Sequence, residues 1–345
     1  MRTSVVQLVL ALLCQTMRMA LCKEHDEPFI GWRGEVEVAN DEAPRGPDLW
    51  IETISWKPRA FILHNLITDA EAQHIVDLAW PQMQRSTVVG KDGSSVLDDY
   101  RTSYGTFLTR YQDDIVKSIE ERVALHTRAP VSHQEDVQVL RYGVGEYYHS
   151  HRDSLPNDSP RMATVLIYLA DPEVGGETAF PEGSEWANAQ AGEKYSKEFS
   201  DCAKGSVAFK PRRGDALLFW SANPDGKTID PASTHEGCAV ESGSKWTTTI
   251  WVHTQPFRPA EFNPKTGRFR ANPPFLDPGI CRDKNLKSCK AWAEAGECEK
   301  NPNYMKGSGM QGGMCRKSCG ACEECAENDK ECFMNNRRRL GYLVG

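Results

Sequence analysis

The sequence predicts a mainly β protein. Two antiparallel sheets close into a jelly-roll barrel, N-terminal helices buttress it, and a small disulfide-rich C-terminal domain follows. Three observations predict this. Helical periodicity precedes Val137, and beyond that residue the apolar period falls to two. Gly143, Gly175-Gly176, Gly214 and Gly243 separate the short strands. Eight of the 12 cysteines lie between Cys281 and Cys332, the density of a stapled module in an oxidising compartment. The 345 residues suffice for one sizeable core and an appendage. A 39% hydrophobic and 26% charged composition excludes wholesale disorder, and a net charge of -7 argues against a nucleic-acid partner.

The elements follow in order. Arg2 precedes an apolar run from Val5 to Cys14 that is too short to span a bilayer, and Ala20-Leu21-Cys22 offers small residues near a cut. Residues 1–22 therefore read as a signal peptide, with an uncleaved anchor as the alternative and the only route to a membrane. Residues 23–50 form an acidic lead-in and residues 51–257 the main globular domain. Thr68-Asp69-Ala70-Glu71 is a capping box ahead of Ile75, Val76, Leu78 and Ala79. Ile115 to Leu125 is a second amphipathic helix. Val137–Tyr142, Ala163–Leu169, Val207–Lys210, Ala216–Trp220 and Trp246–His253 are expected strands. Residues 258–280 are Pro-rich and read as a linker, 281–322 as the cysteine-rich domain, and 323–345 as a polar, solvated tail ending beyond Arg337-Arg338-Arg339.

The chemistry centres on Tyr148-His149-Ser150-His151-Arg152-Asp153. On a strand, residues i and i+2 share a face, so His151 and Asp153 can share one metal. His149 is equally spaced from His151 and competes with this pairing. A lone His-x-Asp is a weak signal, more often a solvated loop. His235, 82 residues after Asp153, completes a two-His, one-carboxylate set that leaves positions open for cosubstrate and O2. Lys245, ten residues after His235, opens an apolar strand and can pair with the far carboxylate of a dicarboxylate.

Seven ordered blocks across roughly residues 55–257 carry a family resemblance. They are Arg101-Thr102-Ser103 with Gly105, Gln138–Tyr142, Tyr148-x-x-His151-x-Asp153, Arg161–Leu169, Gly175–Pro181, Lys210–Phe219 and His235–Trp251. Together they resemble the 2-oxoglutarate/Fe(II) prolyl 4-hydroxylases of the collagen-type and plant/algal secretory branch. The resemblance implies the double-stranded β-helix and hydroxylation of peptidyl proline, coupled to decarboxylation of 2-oxoglutarate to succinate and CO2. It implies that His151, Asp153 and His235 hold Fe(II). Lys245 binds the C5 carboxylate of 2-oxoglutarate, Tyr142 and Thr178 hydrogen-bond that end, and Trp251 lies near it. Tyr148 and Arg161 face the peptide, and Gly90–Tyr100 forms a loop closing over it. Ascorbate restores oxidised iron, and the substrates are proline-rich chains in extended, polyproline-II form. The compartment is the endoplasmic reticulum or secretory pathway, lumenal or secreted. The chain departs from the pattern after Asp153, where Ser154-Leu155-Pro156 replaces an aromatic residue. The same scaffold could serve another peptidyl residue. A secreted binding protein on an inactive oxygenase fold is the alternative of a different class.

Cys202 and Cys238 read as a disulfide pinning the loop of His235, rather than as two buried thiols. The six cysteines of 281–322 allow 15 pairings, and the CxxC steps at Cys319, Cys322 and Cys325 leave a zinc ribbon as a competing reading. Their spacing is similar to the ShK-toxin-like (ShKT) domain, which implies Cys281–Cys322, Cys289–Cys315 and Cys298–Cys319. Cys325 and Cys332 remain to pair with each other. Asn157-Asp158-Ser159 is a glycosylation sequon disfavoured by the following Pro160.

Overall fold

A computed structural model describes residues 49–89, 95–154, 160–271, 273–308 and 311–344. The expected signal peptide, nearly all of the acidic lead-in, and the sequon lie outside the described residues. Among those described, no helix is long and apolar enough to cross a membrane.

Among the described residues, thirteen strands build the two large sheets of the catalytic region: β1 (Trp50–Lys57), β2 (Arg59–His64), β3 (Gln84–Arg85), β4 (Tyr104–Leu108), β5 (Val137–Tyr142), β6 (Tyr148–His151), β7 (Arg161–Ala170), β8 (Thr178–Phe180), β9 (Glu185–Trp186), β10 (Val207–Phe209), β11 (Ala216–Trp220), β12 (His235–Gly237) and β13 (Lys245–His253). They form a nine-stranded sheet in the order β9-β1-β2-β11-β7-β13-β5-β4-β3 and a four-stranded sheet in the order β10-β8-β12-β6. The pairings within both sheets are antiparallel.

Side-chain alternation divides the apolar residues between two cores. On β11, Ala216, Leu218 and Trp220 face one core, while Leu217 and Phe219 face the other. The first core lies under helices α1 (Asp69–Ala79) and α2 (Asp114–Thr127), which contribute Ala72, Ile75, Val116, Ile119 and Val123. The second lies between the sheets, where Ile54, Ile62 and Phe219 meet Ala179, Phe180 and Phe209. All nine residues of β13 are buried, because helices cover one face and the small sheet the other. Helix α1 starts where the sequence predicts, with both hydrogen bonds of the capping box present. Helix α2 starts one residue earlier than its apolar pattern, because Asp113 caps the Ile115 and Val116 amides.

Among the described residues five disulfides are present: Cys202–Cys238, Cys281–Cys322, Cys289–Cys315, Cys298–Cys319 and Cys325–Cys332. Three of them staple a small cluster around the buried Cys289, Met305 and Cys315. The Pro-rich segment carries a strand pair, Phe262–Asn263 with Arg268–Phe269, and Phe269 packs 4.1 Å from the buried Arg110 guanidinium. The C-terminal residues differ from the solvated tail expected of them. Helix α3 (Lys330–Arg338) buries Arg337, and Leu343 joins the first core. Arginine triplets are normally solvated, but here carbonyl oxygens and an aspartate converge on one guanidinium and offset its desolvation.

Replacing both Cys202 and Cys238 by Ser is expected to lower unfolding free energy by about 3 kcal/mol, given a closed loop of intermediate length. A urea midpoint equal to that of the parent chain would refute this.

Candidate metal centre and cosubstrate pocket

The small sheet places the two histidines. β6 and β12 pair with His151 opposite His235, so the rings meet across the ladder with centroids 4.3 Å apart. Asp153 follows β6 and enters from the side. His151 Nε2 lies 3.6 Å from Asp153 Oδ1, and His235 Nε2 lies 3.7 Å from Asp153 Oδ2. One ligand atom from each residue fits within 4.8 Å of the others. The far nitrogens are committed: His151 Nδ1 faces the His149 carbonyl at 2.7 Å, and His235 Nδ1 faces the Ser233 carbonyl at 3.0 Å. With both Nδ1–H groups donating, the two Nε2 lone pairs converge where a cation would sit. His149 does not join the cluster; its side chain is exposed and it contributes only that carbonyl.

Electrostatics favour the liganding forms. Burial alone would raise the Asp153 carboxyl, but His235 and His151 hold it well below the ordinary range. Burial, then repulsion from His151, pushes His235 down to about 4, so its ring is neutral at neutral pH. Thr164, on the neighbouring β7, donates a buried 2.7 Å hydrogen bond to Asp153 Oδ2. The near-isosteric Thr164→Val is expected to weaken divalent-metal binding by about 10–100-fold with the fold retained. Titration with Co(II), followed by its visible absorption, would refute this if affinity stayed within twofold.

Lys245 opens β13 at the other end of the pocket, paired with Tyr142 of β5 and 4% exposed. Its Nζ lies 3.4 Å from Thr178 Oγ1, which also accepts the Tyr168 hydroxyl at 3.1 Å. The Tyr142 ring centre is 5.5 Å from Nζ. Burial pushes the ammonium down to about 7, opposed only by Glu177. That carboxylate is occupied by the Ser200 amide and hydroxyl. Among the described residues no carboxylate comes within ion-pair distance of Lys245, so this buried cation offers a site for an anionic group.

The third wall is aromatic and cationic. Tyr148 stacks on His151 at 3.7 Å, and the Arg101 guanidinium lies 4.6 Å from the Tyr148 ring. Arg161 lies 3.8 Å from Trp251 and is held by both carboxylate oxygens of Glu135, with a further bond to the Asp153 carbonyl. His151, Asp153, His235, Lys245, Tyr142, Thr178, Tyr148 and Trp251 line one pocket, and Arg161 lies against the Trp251 ring. Two buried polar atoms on the lining, Thr247 Oγ1 and Trp251 Nε1, have no partner within the described chain, which suits a polar ligand.

Sequence reasoning missed Thr164, Tyr168, Glu135 and the role of Arg101. Strand periodicity puts the first two on the face opposite Ala163, Val165, Ile167 and Leu169, but it does not reveal their partners Asp153 and Thr178. Of the expected loop over the pocket, residues 90–94 lie outside the described residues, while Tyr100 donates from its hydroxyl to the Ser150 carbonyl.

The sequence profile of the 2OG-Fe(II) oxygenase superfamily matches residues 137–253, which include the His-Asp-His cluster and Lys245. Probable prolyl 4-hydroxylase 4 of Arabidopsis thaliana is 40% identical over 279 residues, spanning 79% of this chain and 88% of the relative. Prolyl 4-hydroxylase 2 of the same plant matches with the same identity and coverage. Among solved structures, the viral collagen prolyl hydroxylase of Paramecium bursaria Chlorella virus-1, in its 2OG complex, has a TM-score of 0.42 and 22% identity, covering 57% of this chain and 96% of that one.

Proposed function

We propose, from the premise that this chain belongs to the prolyl 4-hydroxylases of the 2OG-Fe(II) oxygenase superfamily, how its own residues carry out that activity. The enzyme hydroxylates peptidyl proline and uses Fe(II), 2-oxoglutarate and O2. When bound, these supply the oxidation: one oxygen atom goes to proline C4, and the other converts 2-oxoglutarate to succinate with loss of CO2. The observation that carries the reading is one pocket with a His-Asp-His cluster at one end and a buried, uncompensated lysine at the other.

The residues divide the work. His151, Asp153 and His235 hold the metal through two Nε2 atoms and one carboxylate oxygen, and Thr164 keeps that carboxylate oriented. Lys245 receives the distal carboxylate of 2-oxoglutarate, assisted by the hydroxyls of Thr178 and Tyr142, with Tyr168 holding Thr178 by donating to its oxygen. Gly237 leaves that channel open, since a Cβ there would sit 3.9 Å from Lys245 Nζ. Tyr148 presents its ring beside the metal, and Trp251 forms the facing side, so a proline ring can lie between apolar surfaces that exclude water. Arg161, clamped by Glu135, supplies donors for a peptide carbonyl.

Substrates are extended, proline-rich segments, for which a preformed polyproline-II chain costs little ordering entropy. Five disulfides support an oxidising, secretory compartment such as the endoplasmic reticulum lumen, where ascorbate serves to restore oxidised iron. Residues 281–322 form an ShKT domain in this reading, supported by three disulfides, of which Cys289–Cys315 and Cys298–Cys319 cross each other inside the loop closed by Cys281–Cys322.

The test is mass spectrometry of a proline-rich peptide incubated with the enzyme, Fe(II), 2-oxoglutarate and ascorbate. The expected result is one added oxygen on proline. Turnover of 2-oxoglutarate with oxygen on a different residue would replace the proline reading.

A further inference from the structure

The main sheet ends at β3, a strand of two residues. An edge strand this short has too few ladder bonds to hold itself in place. The C-terminal segment covers it. The Arg85 amide donates to the Gly341 carbonyl at 3.1 Å, and the Leu343 amide donates to the Met83 carbonyl at 2.8 Å. Gln84 forms a bridge with Tyr342, and its side-chain amide donates to the Leu340 carbonyl at 3.2 Å. Arg337, 4% exposed, ties this strap down by donating to the Pro81 carbonyl at 2.9 Å, the Leu343 carbonyl at 3.3 Å and Asp277 at 2.8 Å. The chain that follows the stapled module thus forms the outermost element of the catalytic sheet.

From β3 the contacts run inward to the pocket. The Arg85 guanidinium donates to the carbonyls of Arg101 at 3.3 Å and Ser103 at 3.2 Å. The Ser86 amide donates to the Ser103 carbonyl at 2.8 Å. Arg101 bridges to Tyr148 along the backbone, and its guanidinium covers the Tyr148 ring, which in turn stacks on His151. Each link joins two described, hydrogen-bonded or stacked groups, and the line runs to the wall assigned above to the peptide. It does not reach Lys245, which β13 supports independently.

We propose that the C-terminal strap, residues 337–343, is a positioning element for the peptide wall of the active site, with Arg337 as its positioning residue acting through Arg85 and Arg101 on Tyr148. The chain after the disulfide module is then not a passive tail: it sets how firmly the substrate side of the pocket is held. The inference rests on the reading of Tyr148 as the residue that meets the substrate.

The experiment uses the full-length chain with Arg337→Gln, and Tyr342→Ala as a milder variant should the first fail to fold. Two readouts are taken: steady-state constants for peptide and for 2-oxoglutarate, and amide hydrogen exchange. The expected result is a peptide KM raised about tenfold, with kcat and the 2-oxoglutarate KM within twofold. Exchange should quicken at the Arg85, Ser86, Thr102 and His149 amides and stay unchanged along β7 and β11. A folded variant with parental peptide KM and parental exchange at those amides would overturn the proposal. So would joint loss of metal, cosubstrate and peptide binding, which marks general destabilisation. The exchange readout needs no turnover. A parent enzyme that oxidises no proline, yet whose variants show the local change in exchange, would overturn the proline reading and leave the strap standing.

Discussion

Asp153→Ala is expected to reduce hydroxylation by at least about 10³-fold, with His151→Ala and His235→Ala close behind. Each removes one of three groups that converge within 4.8 Å, and the remaining two cannot hold a divalent cation in a defined orientation. Several kcal/mol of metal-derived stabilisation of the transition state are lost with the ion, and each 1.36 kcal/mol is a factor of ten in rate. Asp153 carries the largest expected effect because it is the only anion of the set. Without it, two neutral imidazoles face a cation with no charge compensation. The fold should survive, since the side chain lies in the pocket rather than in either apolar core. The check combines metal content by mass spectrometry with oxygen incorporation into peptide. Stoichiometric Fe(II) and parental turnover in Asp153→Ala would remove this residue from the metal set.

Lys245→Ala is expected to raise the KM for 2-oxoglutarate by about 10²-fold or more, the loss of a buried charge-assisted pair. The effect on peptide KM should be small. Its pH dependence supplies an independent check. Burial holds the ammonium of the cosubstrate-free enzyme at about 7, while Glu177, the nearest anion, raises it only in part. Tyr142, Tyr168 and Thr178 face the same nitrogen as neutral groups. A dicarboxylate binds the protonated form, so binding draws a proton onto Lys245 whenever the free amine is neutral. Affinity for 2-oxoglutarate should therefore be highest below pH 7 and fall as pH rises beyond it, approaching tenfold per unit while the bound lysine stays charged. Lys245→Arg carries a cation that does not lose its proton in this range and should flatten that dependence, even at lower overall affinity. A 2-oxoglutarate affinity independent of pH from 6 to 9 in the parent enzyme would contradict the lowered ammonium pKa, whereas a parental KM for 2-oxoglutarate in Lys245→Ala would contradict the assignment of Lys245 itself.

Much of the site was legible before any coordinates. His151 and Asp153 announce themselves by their His-x-Asp spacing, although β6 ends at His151 and Asp153 reaches the metal position from the bend that follows rather than from the strand face. Lys245 announces itself as a charge at the head of the β-branched and aromatic strand Trp246–His253. Thr164 and Tyr168 were not legible as site residues, although their strand was. A threonine or tyrosine within Ala163–Leu169 satisfies strand propensity equally well whichever face it takes. Only the neighbour across the sheet, Asp153 for one and Thr178 for the other, decides the role. Glu135 was equally silent, because nothing adjacent in sequence reveals that Arg161 and His253 converge on it.

What the sequence determined by itself is local and periodic. The starts of the helices, the alternation of the strands, the ligand spacing, and the cysteine density of an oxidising compartment all depend on residues within a few positions of one another. Tertiary structure alone decided what depends on register and distant pairing. His235 reaches His151 because β12 and β6 pair at one particular register, and a slip of one residue would put the two rings on opposite faces. Arg337 leaves solvent because carbonyls from Pro81 and Leu343 and the carboxylate of Asp277 close on one guanidinium. The first of these partners is 256 residues away, and no local pattern can encode a contact whose two halves have ordinary sequence surroundings and meet only when the sheet edge is in place.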